Sequence, residues 1–243
     1  MDIRKATPAD VQAILEVVLT AMTPERQWQY CFPSRNQHAD DHSTHTQAAL
    51  ERCLNPVDDD WLVAVVEVPA RLNPRTKIIA SVAILETQRV DSTKEDSAGE
   101  TPQRGSWSEI VAHGHETRKD AKPSRLSAFV EAVIHGRKSY LDGYGHQMYL
   151  HLLATHPDYQ SRGHAKGLCQ WILGMARENG SVVSTLASPT GYIFYSGLGF
   201  TDVGCVVVKV EEEWEEVVLK AMAHVPRKER RPSLFKFWKA TEG

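Results

Sequence analysis

One stretch of this chain has residue types and spacing suited to chemistry. From Leu150 to Thr155 an apolar run predicts a strand, and the chain then turns through a loop ending in Gln160-x-x-Gly163-x-Ala165. That loop feeds an amphipathic helix. A strand, a small-residue turn and a helix N-terminus make an anion site, because the first amides of a helix lack intrahelical acceptors and the dipole adds partial positive charge. Gly163 and Ala165 lack bulk where backbone must approach a ligand, while Arg162 and Lys166 add full charge beside the amides. The spacing therefore predicts a phosphate-bearing ligand near residues 160–166. A plainer reading, a tight turn whose small residues serve helix–sheet packing, fits the same string. No Gly-Lys-Ser/Thr follows, so this is not a Walker loop, and no Gly-x-Gly-x-x-Gly is present.

A second constellation, His38, His42 and His45 with Asp40 and Asp41, invites a metal reading. It offers neither a fourth ligand nor a zinc-type spacing, so no metal is expected. Asp58-Asp-Asp60 reads as a solvated turn and His113-Gly-His115 as loop. The four cysteines, Cys31, Cys53, Cys169 and Cys205, are widely spaced and form no CxxC pair, which points to reduced, intracellular thiols.

The elements that position the loop follow from the pattern. With 243 residues, 42% of them hydrophobic, the chain is long enough for a large core. A net charge of −3 argues against a general nucleic-acid binder. The first residues lack an apolar signal core, and no apolar run is long enough to span a bilayer. Residues 2–6 predict a strand. Thr7-Pro8-Ala9-Asp10 predicts a helix start, followed by Val11, Ile14, Leu15, Val18, Leu19 and Met22 at helical spacing. A second helix is expected over about 43–54, ended by Asn55-Pro56. Trp61–Val68 and Lys77–Leu85 predict an antiparallel hairpin joined by the turn-forming 69–74. Residues 91–123 are polar and predict a mobile insertion within one domain, with Trp107, Ile110 and Val111 docking locally. A helix from about 125, stopped by Gly143-Tyr-Gly145, leads to a strand over 147–155, the Gln160 loop and its helix, and a strand over 181–187. A short aromatic helix follows over 190–197, then strands over 201–210 and 216–223, the last also compatible with helix. One domain over 1–222 with a basic tail at 223–243 results. The order implies a mixed α/β fold with antiparallel strands first and one βαβ crossover in the middle.

About thirty residues beyond Gln160 stands Tyr192-Ile-Phe-Tyr195-Ser-Gly-Leu-Gly199-Phe200. With a [Gln/Arg]-x-x-Gly-x-[Gly/Ala] loop upstream of a Phe-Tyr-x-x-x-Gly-Phe segment, the chain resembles the GNAT superfamily of acyl-CoA-dependent N-acyltransferases, and within it a fungal-type subgroup. The likeness covers roughly residues 1–90 and 125–222, most specifically 147–200. It implies a GNAT-like, mostly antiparallel central sheet with a βαβ crossover, helices on both faces and strands splayed at the cofactor cleft. It implies that Gln160, Arg162, Gly163, His164, Ala165 and Lys166 bind the pyrophosphate of coenzyme A. The pantetheine arm would lie between the diverging strands, against the main chain of Leu153, Ala154 and Thr155. Splayed strands leave unpaired N–H and C=O groups that an amide-bearing ligand satisfies.

The activity so implied is transfer of an acetyl group from acetyl-CoA to an amine in a ternary complex, without a metal. Tyr195 matches the family tyrosine that protonates or hydrogen-bonds the departing thiolate. The amine must lose a proton, and His151 is the leading base. Strict alternation places it on one strand face with Tyr149, Leu153 and Thr155. His156 is a weaker option, and no carboxylate lies between 147 and 157. The resemblance also lets the residues 38–45 contact the acceptor. That acceptor is expected to be a small amine, with the acidic balance favouring a cationic one; a protein amine is also compatible. No nucleic-acid or membrane partner is expected. A cytoplasmic location is expected, the basic tail leaving a nuclear one open. Two other readings compete: a non-catalytic acyl-CoA-binding module of the same fold, and a nucleotide-binding protein using the loop for ATP.

Overall fold

A computed structural model of the chain describes residues 1–55, 57, 60–70, 73, 75–87, 107–114 and 117–226. Much of the expected insertion (91–106), most of Asp58-Asp-Asp60, parts of the 69–74 turn, His115 and the tail from 227 lie outside these residues.

Seven strands form one sheet in the order β1-β2-β3-β4-β5-β7-β6. They are β1 (Asp2–Lys5), β2 (Trp61–Pro69), β3 (Lys77–Thr87), β4 (Gln147–Thr155), β5 (Val182–Ala187), β6 (Thr201–Lys209) and β7 (Glu216–His224). Every neighbouring pair is antiparallel except β4 and β5. That parallel pair requires a crossover, supplied by α6 (His164–Asn179). The sheet is thus the mixed, mostly antiparallel one that the element order implied.

Two apolar layers cover the two faces. One face carries α1 (Val11–Met22), α2 (Arg26–Cys31), α3 (Ala39–Cys53), α4 (Trp107–Ala112) and α5 (Pro123–Tyr140), and its core includes Ile14, Trp28, Phe32, Leu50, Trp107 and Leu126. The other carries α6 and α7 (Pro189–Ser196), with Leu168, Ile172 and Tyr195 in its core. The helical period explains the long elements: α6 buries Leu168, Cys169, Ile172, Leu173 and Ala176, the expected stripe. Its ends are set by Gly163 and Gly180, both left-handed.

Three departures from the sequence pattern have physical causes. The helix start at Thr7 is a single 3-10 turn over Pro8–Asp10, locked when the Asp10 carboxylate accepts the Thr7 N–H at 2.7 Å, and α1 begins one turn later. α2 has only six residues and buries Trp28, Tyr30 and Cys31, too short a run to show a period. Residues 107–112, expected within the mobile insertion, form α4 because Trp107, Ile110 and Val111 are buried in the core. Beyond α4, Arg118 and Asp120 make a buried ion pair that ties residues 118–120 down.

The histidine–aspartate cluster is part of this packing. The Trp28 indole N–H donates to His42 Nε2 at 3.0 Å, and His42 Nδ1 meets Asp120 at 2.6 Å. Asp41 accepts the Lys119 amide at 2.9 Å. Burial would raise the Asp120 pKa, but Arg118 and His42 outweigh it and hold the carboxyl below its usual range. The cluster therefore faces inward to the 118–120 segment, and the expected direct contact of His42 with an acceptor gives way to support of Trp28. Among the described residues no group of His, Cys, Asp and Glu is arranged to hold a metal ion. No helix among them is long and apolar enough to cross a membrane.

Candidate active site

β4 and β5 pair only at their first residues, Gln147 with Val182, Met148 with Val183 and Tyr149 with Ser184. Beyond that point β4 follows β3 while β5 turns to β7. The Thr185 hydroxyl donates to the Leu150 carbonyl at 2.8 Å and closes the vertex of the gap. The sheet is thus open along one edge of β4 from Leu152 to Thr155.

Which main-chain groups face the gap follows from β4's pairing with β3. His156 donates its N–H to Ala80 at 2.9 Å, and the Ala154 carbonyl accepts from the Ser81 hydroxyl at 2.7 Å, so the even-numbered residues turn their polar groups to β3. Leu153 and Thr155 turn theirs to the gap. Ala154, expected to contact the cofactor as well, is 2% exposed and does not fit that role.

The register also skips a residue. Ile84 pairs with Leu152 and Leu85 with Leu150, so His151 is the extra residue of a β-bulge. The bulge reverses the alternation that the sequence suggested. Met148 and Leu150 join the α6 layer, yet Leu152 and Ala154 join the opposite one, and Leu153 packs with α6. His151 and Tyr149 touch at 4.5 Å between ring centroids, but Leu153 lies on the other face.

At the mouth of the gap, Gln160 donates its side-chain amide to the Thr155 carbonyl at 3.1 Å. Ser161 (φ 60°) and Gly163 (φ 81°) then take left-handed backbone, which turns the following amides toward one place. Gly167 is the first to donate within α6, to Gly163 at 2.8 Å. Among the described residues no protein acceptor takes the N–H groups of 161–166. A Cβ on Gly163 would meet nothing within 4 Å, so glycine here answers to backbone conformation and not to helix–sheet packing. Arg162, Gly163 and Lys166 are exposed, with the Arg162 guanidinium over the Tyr159 ring at 5.3 Å. His164 is half-buried against the Met1 sulfur, and burial, aided by Arg162, lowers its pKa.

A cavity of about 520 Å³ runs from this turn through the gap. Its lining includes Gln160, Ser161, Ala165, Leu153, Thr155 and Tyr195 at one end and Trp28, Phe32, Trp107 and Leu126 at the other. It therefore crosses the sheet and joins the two layers. Tyr195 is 6% exposed and wedged against Phe194 and Phe200. Burial, with the charges of Cys169, Tyr149 and Glu25, pushes its pKa up, so it stays a phenol. Its hydroxyl makes no protein hydrogen bond among the described residues.

His151 also lines the cavity. Its side chain is 3% exposed, so the accessible surface of this half-buried residue is mostly main chain. Nε2 meets Glu86 at 3.0 Å, and Arg137 holds the same carboxylate at 2.9 Å while covering the Tyr149 ring at 4.1 Å. Burial pulls the His151 pKa down to about 4, against the pull of Glu86 and with help from Arg137. Burial alone would raise Glu86, but His151 and Arg137 hold it at about 2. At pH 7 the imidazole is neutral; its Nε2–H donates a hydrogen bond to the ionised Glu86 and Nδ1 keeps a lone pair. Glu86 on β3 and Glu25, which lines the cavity ahead of α2, are the carboxylates that a search near 147–157 could not find.

Residues 112–214 match the acetyltransferase (GNAT) domain family. The same fold occurs in solved structures of low identity. A Drosophila melanogaster polyamine N-acetyltransferase has a TM-score of 0.57 at 12% identity, over 92% of this chain and 99% of that one. An arylalkylamine N-acetyltransferase from Aedes aegypti gives 0.55 at 13%, over 93% and 99%. A histone acetyltransferase HPA2-related protein from Corynebacterium glutamicum gives 0.52 at 16%, over 93% and 96%. A search of curated proteins by sequence found no match. The matched segment, which holds the open edge of the sheet and the turn before α6, is similar to the GNAT acetyltransferase domain, and the whole chain shares the fold of these enzymes.

Proposed function

We propose that the protein transfers an acetyl group from acetyl-CoA to an amine by direct attack in a ternary complex. The observation that carries this reading is continuity. The open-edge main chain of Leu153 and Thr155, its last carbonyl held by Gln160, leads straight to the unclaimed amides of 161–166, one strip of donors and acceptors matching an amide-bearing arm that ends in a diphosphate. Gln160, Arg162, Gly163, His164, Ala165 and Lys166 would hold the diphosphate, the two charged residues from the solvent side.

In the reaction a neutral amine nitrogen attacks the thioester carbonyl carbon. The C–N bond forms, the C–S bond breaks, and the thiolate leaves. Main-chain N–H groups at the gap are suited to polarise the carbonyl. Tyr195 would donate a hydrogen bond to the departing sulfur and pass its proton as charge develops, regaining one from solvent. The amine sheds one proton in exchange. His151 is a weaker base than its type suggests: held near 4, it would accept a hydrogen bond from the amine and orient it while the amine's proton passes to solvent water.

Tyr195→Phe tests the reading. Free coenzyme A released from acetyl-CoA across an amine panel is expected to fall about 100-fold or more. The melting shift given by coenzyme A is expected to persist. Unchanged turnover removes Tyr195 from the chemistry. A coenzyme A shift without turnover of any amine by the parent protein favours a binding module, and a shift with ATP alone favours a nucleotide site.

A further inference from the structure

We infer that the acceptor is a monoamine carried on a flat apolar body, an arylalkylamine or its like, and that polyamines are poor substrates. This rests on the acetyltransferase reading and names the substrate class of the same site. Fold alone leaves the choice open, since both a polyamine and an arylalkylamine enzyme share it. The lining decides it. Beyond the gap the cavity is walled by Trp28, Phe32, Trp107, Leu126, Phe129 and Val133. Two of these rings are fixed by polar groups already engaged, and of the acceptors left in the lining, His151 and Gln27 Oε1 (unpartnered among the described residues) are uncharged. The Trp28 N–H is taken by His42, and the Arg118 guanidinium sits over Phe32 at 4.8 Å. Burial pushes the Cys31 thiol up to about 12, so it is uncharged as well. Such preorganised aromatic walls suit a flat hydrocarbon group.

Charge tells the same story. Among the described lining residues Glu25 is the one carboxylate. It lines the same cavity as Tyr195 and its charge acts on the phenol, so an ammonium paired with Glu25 lies in the cavity that is expected to hold the thioester. A second ammonium, farther in, finds no carboxylate in the described lining; Glu109 acts on His151 from outside it and already has a partner. Glu86 is already shared by Arg137 and His151, and Asp120 by Arg118 and His42. Burying such a charge unpaired is strongly unfavourable. The cationic acceptor suggested by overall composition is therefore replaced by one with a single charge and an apolar tail.

The test compares 2-phenylethylamine with putrescine and spermidine, reading coenzyme A release and, with coenzyme A bound, quenching of tryptophan fluorescence by each amine. We expect kcat/KM for phenylethylamine to exceed that of either polyamine by about 100-fold, the range of roughly 3 kcal/mol. Val133→Phe, which fills the lobe, is expected to raise the phenylethylamine KM more than tenfold while the coenzyme A melting shift stays, showing an intact fold. Polyamines used equally well or better, equal losses for all amines in Val133→Phe, or a parent protein that neither acetylates nor binds phenylethylamine, would each overturn the proposal while leaving acetyl transfer standing. A parent protein with no acetyl-CoA melting shift removes the underlying reading, and this one with it.

Discussion

At His151, three neighbours decide what an imidazole can do. Burial and Arg137 disfavour the cation, Glu86 favours it, and the balance lies near 4 instead of 6.5. Between those values the unfolded chain binds a proton that the folded one refuses, so stability declines as pH falls from about 6.5 to about 4. The contribution is complete above 6.5 and is at most about 3 kcal/mol. Glu86, held near 2 where 4.5 is usual, extends the same decline to lower pH. Urea unfolding from pH 7 to 4.5 is expected to show this slope, and His151→Gln to flatten it; an identical slope in the variant places the proton elsewhere. The sequence offered His151 itself, because a histidine on a strand that leads to an anion turn has a pKa suited to the task. It hid the partner, since Glu86 lies 65 positions away, and it hid the bulge, since no residue type marks one.

Among the elements, the turn into α6 is the one whose backbone conformation is easiest to test. Gly163→Ala places a methyl where nothing clashes, so its cost is the left-handed backbone, about 1–2 kcal/mol. The same methyl stands beside the amides assigned to the diphosphate. Calorimetric titration is expected to show coenzyme A binding weakened more than tenfold, beyond what the small loss in melting temperature explains. Unaltered affinity would move the diphosphate away from residues 161–166. Long periodic elements such as α1 and α6 were legible because each buries one stripe. α2 and α4 were not, since a six-residue helix shows barely two turns and tertiary burial of Trp28 and Trp107 decides it.

Over the whole molecule, the acceptor lobe is held by residues that never touch a ligand. α2, α3 and the 118–120 segment meet at Trp28, His42, Asp120 and Arg118. His42→Ala strands the indole N–H and takes one partner from Asp120, a loss of about 1–3 kcal/mol. Its expected signature is a lower melting temperature with a raised amine KM and an unaltered coenzyme A affinity, whereas equal damage to both ligands would show general loosening. Such a network joins residues far apart in the chain, so the sequence showed only its local part, as a metal-like cluster or an acceptor contact. The extra residue in β4 has a consequence of its own. Upstream of His151 the even-numbered side chains mesh with α6; downstream they mesh with the opposite layer. Shortening this strand by one position in its middle would restore an unbroken pleat and turn every later tooth to the wrong gear. The number of residues in this strand, then, matters to the fold as their identity does.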